Sequence, residues 1–202
     1  MARPTKPSLF YSGIALLSWP VMALLFRYRV SGKEHLPASG GYVLAAGHQS
    51  NLDPWPLGLA LWPKRFLRFM AKSELFWFPL GLFIKGGGGF KVRRGQADRE
   101  AMDTAVELAK EGYVVAMFPE GTRRKKGAFK TREAGAHTGA ARIALEAGVP
   151  LVPAGIKGTN GLRRLERWRV RYGAPVDTSD GPTAQEATER LMARIHELEA
   201  SL

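Results

Sequence analysis

The sequence contains no cysteine. Disulfides and thiolate metal sites are therefore excluded, and so is any acyl-enzyme carried on a cysteine. Acidic residues are scarce: 18 Asp and Glu face 30 Lys and Arg, giving a formal net charge of +12. That imbalance favours an anionic partner, whether nucleic acid, an anionic membrane surface or a phosphorylated molecule. The basic residues are not interleaved with aromatics on a recognisable nucleic-acid module, so no nucleic-acid partner is expected. There is no low-complexity linker, no internal repeat, and no His, Asp and Glu cluster that suggests a metal. With 202 residues, 45% of them hydrophobic, the chain has material for one domain with a sizeable core.

Long apolar runs are also rare, with one exception. Residues 9–26 (LFYSGIALLSWPVMALLF) carry no charge. As a helix they would extend about 27 Å, close to the hydrocarbon thickness of a bilayer. Arg3 and Lys6 precede the run, and Arg27, Arg29 and Lys33 follow it. No small-residue cleavage site follows a shorter apolar core, which argues against a signal peptide. Three readings stay open: a spanning anchor, a helix lying in the interface, and a buried core helix. Length and flanking charge favour membrane attachment.

Shorter apolar runs alternate with helical patterns over the rest of the chain. Residues 42–46, 66–71, 113–118, 151–156 and 168–172 read as strands. Residues 54–62 (PWPLGLALW) read as a helix with proline at its start, where a missing N–H costs nothing. Met102, Ala105, Val106 and Ala109 share one face of a helix predicted over 98–110. Further helices are expected over 131–147, ended by Gly148, and over 183–198, where Thr183 and Glu186 have capping-box spacing. Residues 30–37 read as a polar connector, and 75–84 (LFWFPLGLFI) as an apolar stretch too short to span a bilayer. The alternation predicts an α/β fold. The expectation is a single catalytic domain over 30–202, with a central largely parallel sheet flanked by helices. A membrane-associated N-terminal helix would occupy 1–29.

Four points able to carry chemistry each follow a predicted strand, where open α/β sheets bind ligands. His48 and Asp53 are five apart, too far round to share a helix face, yet able to meet across a turn. There a carboxylate can fix the imidazole tautomer and stabilise the imidazolium. By spacing alone such a pair arises by chance about once in ten chains of this size, so its weight comes from context. Asp53 could equally cap the helix beginning at Pro54. Phe118-Pro119-Glu120-Gly121-Thr122-Arg123 joins a carboxylate, a glycine, a hydroxyl and a guanidinium. Thr122 and Arg123 suit phosphate oxygens, Gly121 allows close approach, and Glu120 suits a hydroxyl or an arginine. Arg93 and Arg94 follow a glycine-rich turn. Pro150 and Pro153 bracket a short strand, and Pro153 reads as an edge or an irregular strand end.

Taken in order, these blocks resemble those of the glycerolipid acyltransferase family. The family carries an H-x4-D block, a glycine-to-arginine block, F-P-E-G-T-R and V-P-[LIV]-[VI]-P. Here stand His48 to Asp53, Gly89 to Arg94, Phe118 to Arg123, and Val149 to Pro153. Ala71-Lys72-Ser73-Glu74-Leu75 and Gly173-Ala174-Pro175 are similar to two further family segments. The likeness covers roughly residues 30 to 175, and four blocks in order are specific where one is not. The residue before the histidine is often Asn in that family, whereas here it is Gly47.

The resemblance implies transfer of a fatty acyl group from an acyl thioester to the sn-2 hydroxyl of 1-acyl-sn-glycerol 3-phosphate. It implies His48 as general base and Asp53 as its support, with no covalent intermediate. Arg94, Glu120, Gly121, Thr122 and Arg123 would hold the head group, and Lys72 is a weaker candidate for contacting the oxyanion. No metal or cofactor is implied. The acyl donor would be a coenzyme A or acyl-carrier-protein conjugate. The setting would be the cell membrane, with the catalytic domain on the cytoplasmic side. The same blocks also fit acylation of another lysophospholipid or of glycerol 3-phosphate. A non-catalytic basic membrane-binding protein is the alternative of a different class.

Overall fold

The computed structural model describes residues 6–92, 98–120 and 136–202. Its strands are β1 (Arg29–Ser31), β2 (Tyr42–Ala46), β3 (Leu67–Lys72), β4 (Gly89–Val92), β5 (Val114–Met117), β6 (Leu151–Lys157) and β7 (Arg169–Tyr172). They form one sheet in the order β1-β7-β6-β2-β5-β3-β4. Every neighbouring pair is parallel except β6 and β7. The helices are α1 (Leu9–Leu25), α2 (Pro54–Leu61), α3 (Leu80–Gly86), α4 (Asp98–Lys110), α5 (Gly139–Ala147) and α6 (Ala184–Ala200).

The central strand β2 shows why its sequence is a continuous apolar run: all five residues are buried. Tyr42, Leu44 and Ala46 face α2, packing with Leu57, Ala60 and Leu61. Val43 and Ala45 point the other way, into a cluster with Ala105 of α4, Ile143 of α5 and Leu191 of α6. The sheet is thus covered on both faces, as the strand–helix alternation predicts. α1 packs outside α2 through Ala15 and Met22, which join Phe26, Leu59 and Trp168. The Phe26 and Trp168 rings stack at 4.3 Å.

Four local expectations change. The connector over 30–37 contains β1, a short edge strand lying parallel to β7. The helix expected over 131–147 is helical from Gly139, Ala136 and His137 being non-helical, and 131–135 lie outside the described residues. Pro153 lies in an interior strand rather than at an edge. Its carbonyl accepts from Gly173 N–H at 2.9 Å, so its missing donor faces the β7 side. The β6–β7 register begins one residue later, at Ala154, so the missing donor falls at the end of that pairing. Finally, Asp53 makes no side-chain cap on α2. Its carboxylate is engaged elsewhere.

Candidate active site

Three adjacent strands, β6, β2 and β5, run parallel and end together. The residues just beyond their carboxyl ends are Thr159, His48 and Phe118. The turn after β2 folds back on itself. Asp53 N–H donates to Ser50 O at 3.1 Å, and Leu52 N–H to Ser50 Oγ at 3.2 Å. Proline at the first position of α2 follows at once and fixes where the helix starts.

This turn brings the predicted pair into contact. His48 Nδ1 lies 2.8 Å from Asp53 Oδ2. The same oxygen accepts from the backbone N–H groups of Gln49 at 2.7 Å and Ser50 at 2.9 Å. Thr159 Oγ1 donates to the other oxygen, Oδ1, at 2.5 Å. Asp53 is fully buried. Burying a carboxylate is costly unless its lone pairs are met, and four donors meet them here. An acceptor-only carboxylate requires the proton on His48 Nδ1, so Nε2 is left as the acceptor. The Phe118 ring stacks on the imidazole, with centroids 4.4 Å apart and planes 24° from parallel. The histidine side chain keeps 18% of its surface exposed, enough for a ligand to reach one edge.

Two further anchors hold the turn. Gln49 Nε2 donates to Ile156 O of β6 at 2.8 Å. Tyr172 Oη donates to Leu57 O at 3.0 Å, and Tyr28 Oη donates to Pro56 O, so two tyrosines grip the first turn of α2. Burial pushes both hydroxyls well above the ordinary phenol range, and they remain neutral donors.

Glu120 lies beside the residue before His48: a side-chain carbon added at Gly47 would stand 3.6 Å from its Oε1. Lys72 is exposed at the end of β3, which is separated from β2 by β5. Among the described residues it makes no hydrogen bond to His48 or Asp53. Arg94, Gly121, Thr122 and Arg123 lie outside the described residues. Among the described residues no His, Asp and Glu group could hold a metal ion. Sequence reasoning missed Thr159 and the Gln49 clamp. The only available signal for Thr159 was its place after a buried strand and Gly158, whose φ of +92° requires glycine.

The fold is thus an α/β sheet covered on both faces, with a half-buried histidine paired to a buried aspartate at its strand ends. The Acyltransferase family model matches residues 27–157, and the chain belongs to that family. It is 33% identical over 194 residues to the 1-acyl-sn-glycerol-3-phosphate acyltransferase of Bacillus subtilis (strain 168). That alignment covers 90% of this chain and 93% of the relative. The enzyme of the same name from Streptococcus pneumoniae is 33% identical over 69% of this chain and 51% of its own length. Among solved structures, the 1-acyl-sn-glycerophosphate acyltransferase PlsC from Thermotoga maritima superposes with a TM-score of 0.70 at 27% identity. The superposition covers 94% of this chain and 80% of that one.

Proposed function

We infer that this protein transfers a fatty acyl group to the sn-2 hydroxyl of 1-acyl-sn-glycerol 3-phosphate, giving phosphatidic acid for phospholipid biosynthesis. The observation that carries the chemistry is the His48 Nδ1–Asp53 bond, which leaves Nε2 free to accept a proton. The acceptor specificity rests on the names of the full-length relative and the solved structure. His48 takes the hydroxyl proton, and the oxygen attacks the thioester carbonyl. The tetrahedral intermediate collapses, the C–S bond breaks, and the thiolate recovers the proton from His48. Asp53 stabilises the imidazolium between those events. Arg94 and Arg123 bind the phosphate, with Glu120, Gly121 and Thr122 completing the head-group site. Lys72 is the side-chain candidate for the oxyanion. The reaction needs neither metal nor cofactor. Its donor is acyl-CoA or acylated carrier protein.

The protein works at the cell membrane, on the cytoplasmic side. Residues 1–29 form the attachment segment, and 30–202 the catalytic domain. No helix among the described residues is long and apolar enough to cross a membrane. A helix lying in the interface is the reading that the two faces of α1 favour. α1 buries one stripe, Tyr11, Ala15, Ser18 and Met22, and exposes Leu9, Leu16, Leu17 and Leu24. The aromatic stretch over 75–84 is likewise outside the core: Trp77, Phe78, Leu82 and Phe83 are exposed. Phe10 of α1 meets Phe83 of α3 at 6.2 Å between centroids, which joins the two apolar surfaces. A cavity of about 490 Å³ beside α3 is walled by Phe76, Trp77, Phe78 and Leu82, with Lys85 and Lys91 also lining it. Apolar walls with cations suit an acyl chain bearing an anionic head, and each well-placed cation adds about 1 kcal/mol at an anionic surface.

The test is transfer from acyl-CoA and from acylated carrier protein to an acceptor panel by purified protein. Lysophosphatidic acid should be the best acceptor, and His48→Ala should lower its turnover by about 10³-fold or more. Better use of glycerol 3-phosphate or another lysolipid would move the assignment to that acceptor. An unchanged rate in the His48 variant would overturn the mechanism.

A further inference from the structure

The short 3₁₀ helix Thr159–Arg164 runs from the site to the molecular surface. It starts at Thr159, whose hydroxyl holds Asp53. Just past its other end, Leu165 O accepts from Arg27 Nη2 at 3.3 Å, and Arg27 follows the end of α1. Trp168 N–H donates to Phe26 O at 2.9 Å and Arg29 N–H to Trp168 O at 3.0 Å, so the two stretches are zipped together. Arg27 and Leu165 have φ of +45° and +49°. Among the described residues they are the only two non-glycine residues with positive φ, and they are bonded to each other. Residues with long side chains rarely adopt that conformation, which persists only where the surroundings impose it. This backbone presents a mixed surface. Leu162 is 47% and Leu165 43% exposed, and Arg27, Arg163, Arg164 and Arg167 are exposed around them. Glu166, the acidic residue of the stretch, is folded back over Gly161, where an added Cβ would stand 2.0 Å from its Cδ.

We propose that the turn over 162–167, with Arg27, is a contact for an anionic lipid surface, separate from the α1–α3 surface. The two leucines enter the head-group region, and the guanidiniums bind lipid phosphates, which they match in charge and fork geometry. Exposed leucines ringed by arginines would also suit an acidic carrier protein. Continuity with α1 favours the lipid. Leu24 and Leu25 immediately precede Phe26 and Arg27 and are both exposed, so the apolar surface runs on from the turn along the helix. Residues 9–26 carry no charge, and an acidic protein would find no cation along that face. The inference deepens the acyl-transfer reading and rests on it at one point, that the acceptor lies in a bilayer. The turn lies outside every block that marks the family in this sequence.

Leu165 provides a probe in which stability and binding part company. Asparagine adopts the left-handed backbone more readily than leucine, so in Leu165→Asn the melting temperature should hold or rise while lipid binding weakens. A leucine with only a structural role would give the reverse, lower melting with binding intact. The experiment measures sedimentation of the full chain with phosphatidylglycerol vesicles and with phosphatidylcholine vesicles. Wild type is compared with Leu165→Asn, Leu162→Gln/Leu165→Asn and Arg163→Gln/Arg164→Gln. The double leucine variant should bind phosphatidylglycerol vesicles about tenfold more weakly. The double arginine variant should bind them about thirtyfold more weakly at low salt, with little change on phosphatidylcholine and a difference that shrinks as salt is added. Turnover of a short-chain, detergent-dispersed acceptor should stay at the wild-type level in all three. Unchanged phosphatidylglycerol binding in the arginine variant, or an equal loss on both kinds of vesicle, would overturn the proposal. A raised KM for acylated carrier protein with vesicle binding intact would assign the turn to the acidic donor and overturn it too. Wild-type protein that shows the vesicle pattern but transfers no acyl group would overturn the functional reading alone, which separates the two failures.

Discussion

The His48–Asp53 turn and the α1–α3 surface are opposites. In the turn, each oxygen of a buried carboxylate has its donors, and the imidazole is held by a hydrogen bond on one edge and a ring on one face. On the α1–α3 surface, large apolar side chains stand exposed among the described residues, Leu9 being 94% and Phe78 80% exposed. The first region is satisfied within the chain, as suits a group proposed to move a proton with little reorganisation. The second leaves large apolar side chains exposed among the described residues, and exposure on this scale suits an interaction surface. On the proposed function, one region would carry the chemistry and the other the encounter with the substrate's phase. Changes to the two should therefore separate in the assays that detect them.

The sharpest way to break that separation is Asp53→Asn. An asparagine can keep its oxygen toward Gln49 and Ser50 N–H while Thr159 turns its hydroxyl to accept from the new amide. The fold should survive, but the imidazolium loses its counter-charge. Turnover should fall by about 10³- to 10⁴-fold while vesicle binding stays at the wild-type level. The converse change is Phe78→Asp with Leu82→Asp. Burying one large apolar side chain contributes about 1.5–3 kcal/mol, so sedimentation with anionic vesicles should drop by roughly a hundredfold. Turnover of a short-chain, detergent-dispersed acceptor should be nearly unchanged. If that turnover collapses as well, the two regions are not separable. Thr159→Val tests the finer grain of the turn. It removes one donor from a buried carboxylate, a loss of about 1–3 kcal/mol, and should lower kcat about tenfold with a matching loss of thermal stability.

The smallest effect belongs to a part that touches neither region. Thr183 accepts from Glu186 N–H at 3.2 Å, and its own N–H donates to Glu186 Oε2 at 2.7 Å. Thr183→Ala should cost about 1 kcal/mol in thermal unfolding and leave kinetics alone. The Thr183 backbone and hydroxyl bonds hold the Glu186 carboxyl below its ordinary pKa. Its contribution is thus full at neutral pH and is lost as pH falls through the folded-state value. The wild-type and variant melting curves should accordingly converge in acid.

What could be read from the sequence was whatever leaves a periodic or ordered trace. β2 and β5 are apolar runs bounded by glycine, so they were legible, and the capping box at Thr183 was legible from spacing. β1 was not, because three residues with an exposed–intermediate–exposed pattern hardly differ from a connector. The true place of Pro153 depended on which side of β6 its carbonyl faces, which only strand order decides. His48 and Asp53 were recognisable by company rather than by spacing. Thr159 stands 106 positions from Asp53, a distance that leaves no local trace, since it is the sheet that closes it.

The hydrogen bond from Trp55 Nε1 to Ser18 Oγ, 3.1 Å long, has a mechanical meaning. Trp55 is two residues after Asp53, and Ser18 lies on the buried stripe of α1. A single bond thus ties the outermost helix to the turn that carries His48. The helix also covers Leu59 and Trp168, so cutting the chain before Arg27 would strip the roof from α2 as well as removing an attachment. If α1 is the proposed attachment, it is less a tether than a float fixed to the hull: through Trp55 and Ser18, the depth at which it rides would set the height of the His48 turn.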